Sequence, residues 1–430
     1  MSYSRAERAL DDLLGSSHLA GAYELPALFE AHAEQLGLTD VRVYLADLQQ
    51  RLLVPLPDRP GPDGEPRQRC GDRHEDGQDD GEIRVDGTLA GRAFQLNEVV
   101  IQELDDLPGG VRLWLPVLDG TERLGVLAVT VPDREALDAD DGALRLRVRR
   151  FTTVVAELVM SKTLYGDTIV RLRRGTDMGL AAEMQWSLLP PLTFSDRSVV
   201  VAGGLEPAYE VAGDSLDYAV DDGVARVALF DGMGHGLASA QLAVLTVSAY
   251  RNQRRVGADL GSTARFVDDA VAAAARGEGF STGLLVELDT RSGELRWVNA
   301  GHPDPLLLRD GRLVRPLETQ HALPFGLNEA ITGAQEFSVG CETLQPGDLV
   351  LLHTDGVVEA RSTTGEYFGA ERLVDLVTRN LAAGLPAPET VRRLIRALLD
   401  HQDTRLEDDA TLALLQWRPD DPERLAPPTP

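Results

Sequence analysis

Between residues 199 and 417 the strand-length apolar runs follow one another, and the helical stretches come in pairs between them. The runs lie at 199–202, 224–230, 283–289, 295–299, 306–309, 349–353 and 411–417, and they are rich in Val, Leu and Ala. Residues 236–250 and 263–275 are alanine-rich and read as helices, as do 370–381 and 388–401. Strands in runs with helices in pairs exclude a repeating β-α-β sheet and specify an α+β fold.

Four acidic signatures flank these runs: Gly213-Asp214-Ser215-Leu216-Asp217, Phe230-Asp231-Gly232-Met233-Gly234-His235-Gly236, Thr354-Asp355-Gly356 and Asp408-Asp409-Ala410-Thr411. Each alone is ordinary. Asp-Gly is a common turn dipeptide, and a pair such as Asp408-Asp409 is usually solvated. Their contexts say more. Asp231 is the first residue past a run apolar enough to be buried, and the glycines at 232, 234 and 236 let the backbone approach closely. The Gly232 carbonyl can then stand beside the Asp231 carboxylate. The 349–353 run repeats the device at Asp355, and Asp408 precedes the last run. Carboxylates gathered at strand ends repel one another unless cations neutralise them. Mg²⁺ and Mn²⁺ take such oxygen ligands.

The N-terminal part has a different texture. Residues 5–36 carry apolar residues at helical spacing, 41–46 alternate as a strand does, and 56–82 form a Pro-, Gly- and Asp-rich stretch that reads as a long loop. Short strand-like runs follow at 99–101, 111–117 and 124–131, with the hairpin signal Asp119-Gly120 between the last two. In residues 145–189, Phe151, Val155, Leu158, Tyr165, Ile169 and Leu172 fall near heptad spacing. Two readings are open: a linker helix that dimerises and carries a signal, or a helix packed on its own domain. Pro190-Pro191 ends the stretch.

With 430 residues the chain is too long for one ordinary core. Its net charge of −27 argues against nucleic acid as a partner. No apolar run reaches the roughly 18 residues of a membrane helix, so no membrane partner is expected. The two cysteines, Cys70 and Cys341, form no CxxC pair and no disulfide framework, which fits a reducing cytoplasm. An anchor role for Cys70 is the lesser reading beside an incidental loop cysteine.

The hairpin RLWLPVLDGTERLGVLAVTVPD of residues 112–133, followed by a helix from about Leu144, resembles a GAF-type domain. That implies a GAF-like α/β sensor over 5–160 with an unidentified small ligand. Six motifs in the C-terminal half resemble, in order, those of the protein phosphatase 2C-like superfamily, SpoIIE-type branch. They are AAEMQWSLLPP (181–191), EVAGDSLDY (210–218), ALFDGMGHGLASA (228–240), LRWVNAGHPDPLLL (295–308), LLHTDGVVEA (351–360) and EDDATLALLQW (407–417).

The resemblance implies an α-β-β-α sandwich over 193–418; the heptad-spaced stretch before it reads as a helical linker over 161–192, and the Pro- and charge-rich residues 419–430 read as a disordered tail. It implies a metal-dependent serine/threonine protein phosphatase with two Mn²⁺ or Mg²⁺ ions. The ligands, and with them the catalytic residues, map to Asp214, Asp231, the Gly232 carbonyl, Asp355 and Asp408, with Asp217 and Asp409 secondary. The implied substrate is a phosphorylated anti-sigma-factor antagonist of the STAS type, and a homodimer through the linker helix is allowed. A catalytically silent binding regulator and a small-metabolite phosphatase are the alternatives. All the metal carboxylates are present, against the first. Departures are Ala212 for the first glycine of its motif, and Ser215-Leu216 for an aromatic pair, which would reshape the substrate-facing rim. His235 reads as a solvent-facing helix-entry residue or a general acid, His302 as structural, and His353 as a support for the site.

Overall fold

The computed structural model describes residues 5–58, 81–139, 142–206, 213–276, 279–328, 336–402 and 408–419. Cys70, most of the expected 56–82 loop, Ala212 and almost all of the expected tail lie outside the described residues. The chain separates into two compact units that part between Gly175 and Thr176.

The N-terminal unit opens with helices α1 (Arg5–Ser17) and α2 (Leu25–Gln35), then strands β1 (Thr39–Ala46), β2 (Leu52–Pro55) and β3 (Ile83–Arg84). Helix α3 (Leu89–Leu96) leads to β4 (Val100–Glu103), β5 (Val111–Asp119) and β6 (Glu122–Val131). Short α4 (Glu135–Asp138), long α5 (Ala143–Thr163) and α6 (Thr168–Leu172) close it. The strands make one antiparallel sheet in the order β3-β2-β1-β6-β5-β4. Period-two alternation sorts its faces. Leu113, Leu115, Leu127 and Val129 pack with Phe29, Phe151 and Val155. Trp114, Val126 and Ala128 pack on the other side with Phe94 of α3. The β5–β6 hairpin turns at the expected Asp119-Gly120, where Gly120 has φ of 58°.

The expected connector over 161–192 is helical only in pieces. Helix α5 stops at Thr163, α6 is a single short helix, and α7 (Leu180–Leu188) follows separately. Gly166, Gly175 and Gly179 fall in the breaks, where glycine's backbone freedom disfavours helix. Phe151, Val155, Leu158 and Ile169 of the heptad stripe are buried in their own unit's core, while Tyr165 is 82% exposed. Those four residues pack on their own domain.

The second unit continues from α7 through β7 (Thr193–Ser195), β8 (Val199–Glu206), β9 (Asp214–Asp221) and β10 (Val224–Gly232). Helices α8 (Leu237–Arg255) and α9 (Leu260–Ala275) precede β11 (Ser281–Asp289), β12 (Glu294–Ala300), β13 (Leu306–Arg309), β14 (Arg312–Pro316), β15 (Gly340–Thr343) and β16 (Leu349–His353). A one-turn helix (Asp355–Val358) and helices Ala370–Ala382 and Ala387–His401 lead to the last strand, β17 (Ala410–Trp417). Two antiparallel sheets result, β15-β12-β11-β10-β9 and β14-β13-β16-β17-β8-β7.

Val227, Leu229, Leu284 and Val286 of one sheet meet Val201, Val350, Leu352 and Leu415 of the other. Truncating Leu229 to alanine here costs about 2–5 kcal/mol by the usual core-cavity scale. On the outer face of the first sheet, Phe230, Leu285 and Val298 pack on Val247 and Tyr250 of α8 and Val267 of α9. On the outer face of the second, Gly204 admits the Ala387–His401 helix: a Cβ there would lie 2.6 Å from Val391 Cγ1. The layers are therefore helix, sheet, sheet, helix, as the family resemblance implied.

Candidate active site

Antiparallel pairing brings the acidic signatures to one end of the two sheets. In the first sheet, Asp214 at the start of β9 is the register partner of Asp231 near the end of β10. Residues directly opposite share a face, so both carboxylates point toward the space between the sheets, as Leu216 and Leu229 do further along. In the second sheet, β16 ends at His353 just before Thr354-Asp355, and its partner β17 begins just after Asp408-Asp409.

Hydrogen bonds cross between the sheets at this end. The Thr354 hydroxyl donates to Asp214 Oδ2 at 2.7 Å. The N–H groups of Gly213 and Asp214 donate to Asp409 Oδ2 at 2.5 and 3.1 Å. The Thr411 N–H donates back to the Thr354 oxygen at 3.0 Å. Gln185 of α7 donates to the Asp214 carbonyl at 2.7 Å. Gly356 is required where it stands, because a Cβ would lie 1.9 Å from the Asp409 carbonyl oxygen. The turn after Asp231 also uses its glycines: Gly234 and Gly236 have φ of 94° and 77°. The Ser239 hydroxyl contacts the Gly232 carbonyl at 3.4 Å.

The electrostatics follow from this crowding. Asp214 is 1% exposed, and burial, then the charges of Asp231 and Asp409, raise its pKa well above the carboxylate range. Asp231 is raised to about 7 by burial and by Asp355, Asp408 and Asp409. Asp409 is raised to about 6, mainly by burial, against the N–H bonds that lower it. Burial raises Asp408 as well, although its residue is exposed overall. Asp355 is exposed at the rim. Asp409 Oδ1 is buried without a hydrogen-bond partner. Among the described residues, no three His, Cys, Asp or Glu side chains converge closely enough to hold an ion as they stand. The donor chemistry still fits a hard cation: all the groups are oxygens, mutually repelling, with one buried lone pair unused.

Residues 221–418 match the family model "Stage II sporulation protein E (SpoIIE)". The C-terminal unit carries a SpoIIE-family domain. Protein IcfG of Synechocystis is 28% identical over 134 residues, 31% of this chain and 20% of that protein. The phosphoserine phosphatase RsbU of Bacillus subtilis is 22% identical over 242 residues, 56% of this chain and 70% of RsbU. A crystal structure of the RsbU and RsbW domains of a Mycobacterium tuberculosis protein is 26% identical, covering 53% of this chain and 63% of that one, with a TM-score of 0.46. This chain thus spans only part of each.

Within the SpoIIE-type domain, two readings need correction. Asp217 does not join the acid cluster. It lies three residues from Asp214 on β9, an odd spacing that turns it to the other face. There Arg251 and Arg254 of α8 hold it at 2.7 and 3.2 Å. Ser215 and Leu216 do not form a rim either. Both are 1% exposed, and Leu216 packs in the core between the sheets.

The histidines also sort themselves. His235 is exposed. His302 is buried, bonds Thr282 Oγ1 through Nδ1 at 2.8 Å, and is lowered to about 3 by burial and then His353. His353 donates from Nδ1 to the Thr354 carbonyl at 3.0 Å, beside the residue that orients Asp214. Sequence reasoning missed Thr354 and Gln185 as polar partners of Asp214. Thr354 stood next to a named aspartate, but its target is 140 residues away.

Proposed function

We propose that the C-terminal unit hydrolyses phosphoserine or phosphothreonine on a protein substrate. Two divalent cations, Mn²⁺ or Mg²⁺, would be held by Asp214, Asp231, the Gly232 carbonyl, Asp355 and Asp408. The observation that carries this is the set of mutually repelling carboxylates at one end of both sheets, cross-linked by Thr354 and Asp409. Such an arrangement costs stability unless positive charge offsets it.

Cations bound there would supply a water of lowered pKa and offset the charge of the phosphoryl oxygens. The chain's own residues do the positioning. Thr354 fixes the Asp214 carboxylate by its hydroxyl. Asp409 fixes the start of β9 by accepting two N–H groups. Positive-φ glycines at 234 and 236 turn the chain directly after the Asp231-Gly232 pair. Asp231, Asp355 and Asp408 retain carboxylates directed at a site open to solvent at Asp355 and Asp408.

The family match and the phosphoserine phosphatase among the relatives support a protein substrate. The finer proposal is a phosphorylated STAS-type anti-sigma-factor antagonist, with the N-terminal unit as the regulating, ligand-sensing domain. Release of phosphate from p-nitrophenyl phosphate and from a phosphoserine protein, with and without Mn²⁺, tests the activity. Asp231→Asn and Asp355→Asn should each abolish it. Turnover that survives chelation, or survives in both variants, overturns the metal assignment. Equal turnover of free phosphoserine would favour a metabolite as substrate.

A further inference from the structure

The N-terminal unit contains a cavity of about 700 Å³ between the end of α1 and the end of α5. Its volume is that of a site for a small organic molecule. Ser17, His18, Leu158, Ser161, Lys162 and Tyr165 are among its walls.

Charge sets this cavity apart. The chain has 69 Asp and Glu residues, yet none is among the described lining residues. Of its 42 basic residues Lys162 is the one lysine, and it lies here. Its ammonium donates to the Ser17 carbonyl at 2.7 Å. An ammonium has three N–H donors, so two remain for a ligand. No carboxylate pairs with it among the described residues. A half-buried cation without a counter-ion favours an anion. His18 and the Ser161 hydroxyl are also among the walls, the Ser17 hydroxyl being spent on the Leu14 carbonyl at 2.8 Å, while Leu158 and the exposed ring of Tyr165 offer apolar surface.

We propose that this cavity binds a small organic carboxylate with an apolar body, its head on Lys162 and its body along Leu158 and Tyr165. The proposal stands on the N-terminal unit alone and does not need the phosphatase reading.

Calorimetric titration of the full chain with octanoate and 1-naphthoate, against octan-1-ol and 1-naphthylmethanol, tests it. Each acid should bind at least about tenfold more tightly than its alcohol, the scale of a charge-assisted bond. Lys162→Gln should erase that preference, and Lys162→Arg should keep it within about threefold. Circular dichroism checks that the variants fold. Tyr165→Ala, at an exposed position, should weaken 1-naphthoate about fivefold whatever becomes of the lysine variants. Equal binding of acids and alcohols overturns the proposal, as does naphthoate affinity unchanged in Tyr165→Ala. A concentration-dependent dimer that excludes both acids overturns it in favour of a second copy as the occupant.

Discussion

The Thr354 hydroxyl reaches Asp214 Oδ2 at 2.7 Å while its oxygen accepts the Thr411 N–H at 3.0 Å. One buried side chain thus joins the end of β16, the start of β17 and the start of β9. Thr354→Val keeps the shape and removes both bonds, leaving a buried N–H unmet at about 1–3 kcal/mol. We expect a lower melting temperature and an Mn²⁺ requirement raised about tenfold, the size of one lost orienting contact. Thr354→Ser should restore both. Manganese titration of p-nitrophenyl phosphate hydrolysis, beside thermal unfolding, reads the two effects.

Asp231→Asn separates stability from activity. Its carboxyl is raised to about 7 by burial and by Asp355, Asp408 and Asp409. Removing one charge relieves that repulsion. In metal-free protein at pH 8 the variant should be more stable by about 1–3 kcal/mol, while activity disappears. Chemical denaturation in the presence of a chelator checks this. A less stable metal-free variant would contradict the repulsion argument.

The same groups set the pH dependence of the metal-free protein. Asp231 and Asp409, at about 7 and 6, bind protons more tightly folded than unfolded. Their contribution is full below the unfolded carboxylate pKa of about 4 and is lost as pH rises through 6 to 7. His302, lowered to about 3, acts oppositely: its contribution is present above about 6.5 and is lost as pH falls toward 3. The melting temperature should therefore rise as pH falls from about 7 toward 4, with His302 offsetting part of the gain below about 6.5. Millimolar Mn²⁺ should raise it most at pH 8, where protons compete least. Scans across pH with and without the metal decide it.

Asp217→Asn distinguishes the arginine-held aspartate from the acid cluster. Asp217 is buried between Arg251 and Arg254. Breaking such a pair costs about 3 kcal/mol or more, less where solvent reaches the arginines. The variant should melt earlier, yet its half-maximal Mn²⁺ concentration should stay that of the parent protein. A shift in metal requirement equal to that of Thr354→Val would place Asp217 in the site after all.

Gly356→Ala puts a methyl 1.9 Å from the Asp409 carbonyl. That clash is with backbone and cannot be relieved by a rotamer. We expect loss of activity with the N-terminal unit still folded, seen as an intact low-exchange core in that unit by hydrogen exchange.

Apolar periodicity made most of the sandwich legible. The run at 349–353 is β16, and 306–309 is β13, to the residue. Strand β9 was not legible because Asp214, Asp217 and Asp221 interrupt its apolar pattern. Its first aspartate serves the acid cluster and its second is clamped by arginines on the opposite face. Glycines and chain order exposed Asp231 and Asp355 as special. They could not show that Asp409 would be deeper than Asp408, because that depends on N–H groups 195 and 196 residues away. The linker stripe left two readings open for the complementary reason. Period alone says that Phe151 and Val155 share a face, not which surface that face meets.

The acid cluster draws its members from the β9–β10 pair of one sheet and from the end of β16 and the approach to β17 in the other. During synthesis, β9 and β10 emerge long before β17, and Asp408 and Asp409 come just ahead of it. The negative pocket therefore does not exist until the final strand has inserted between β8 and β16. A chain cut before Asp408 loses the strand that joins β8 to β16 together with Asp408 and Asp409, so cation affinity becomes a readout of whether that strand has docked.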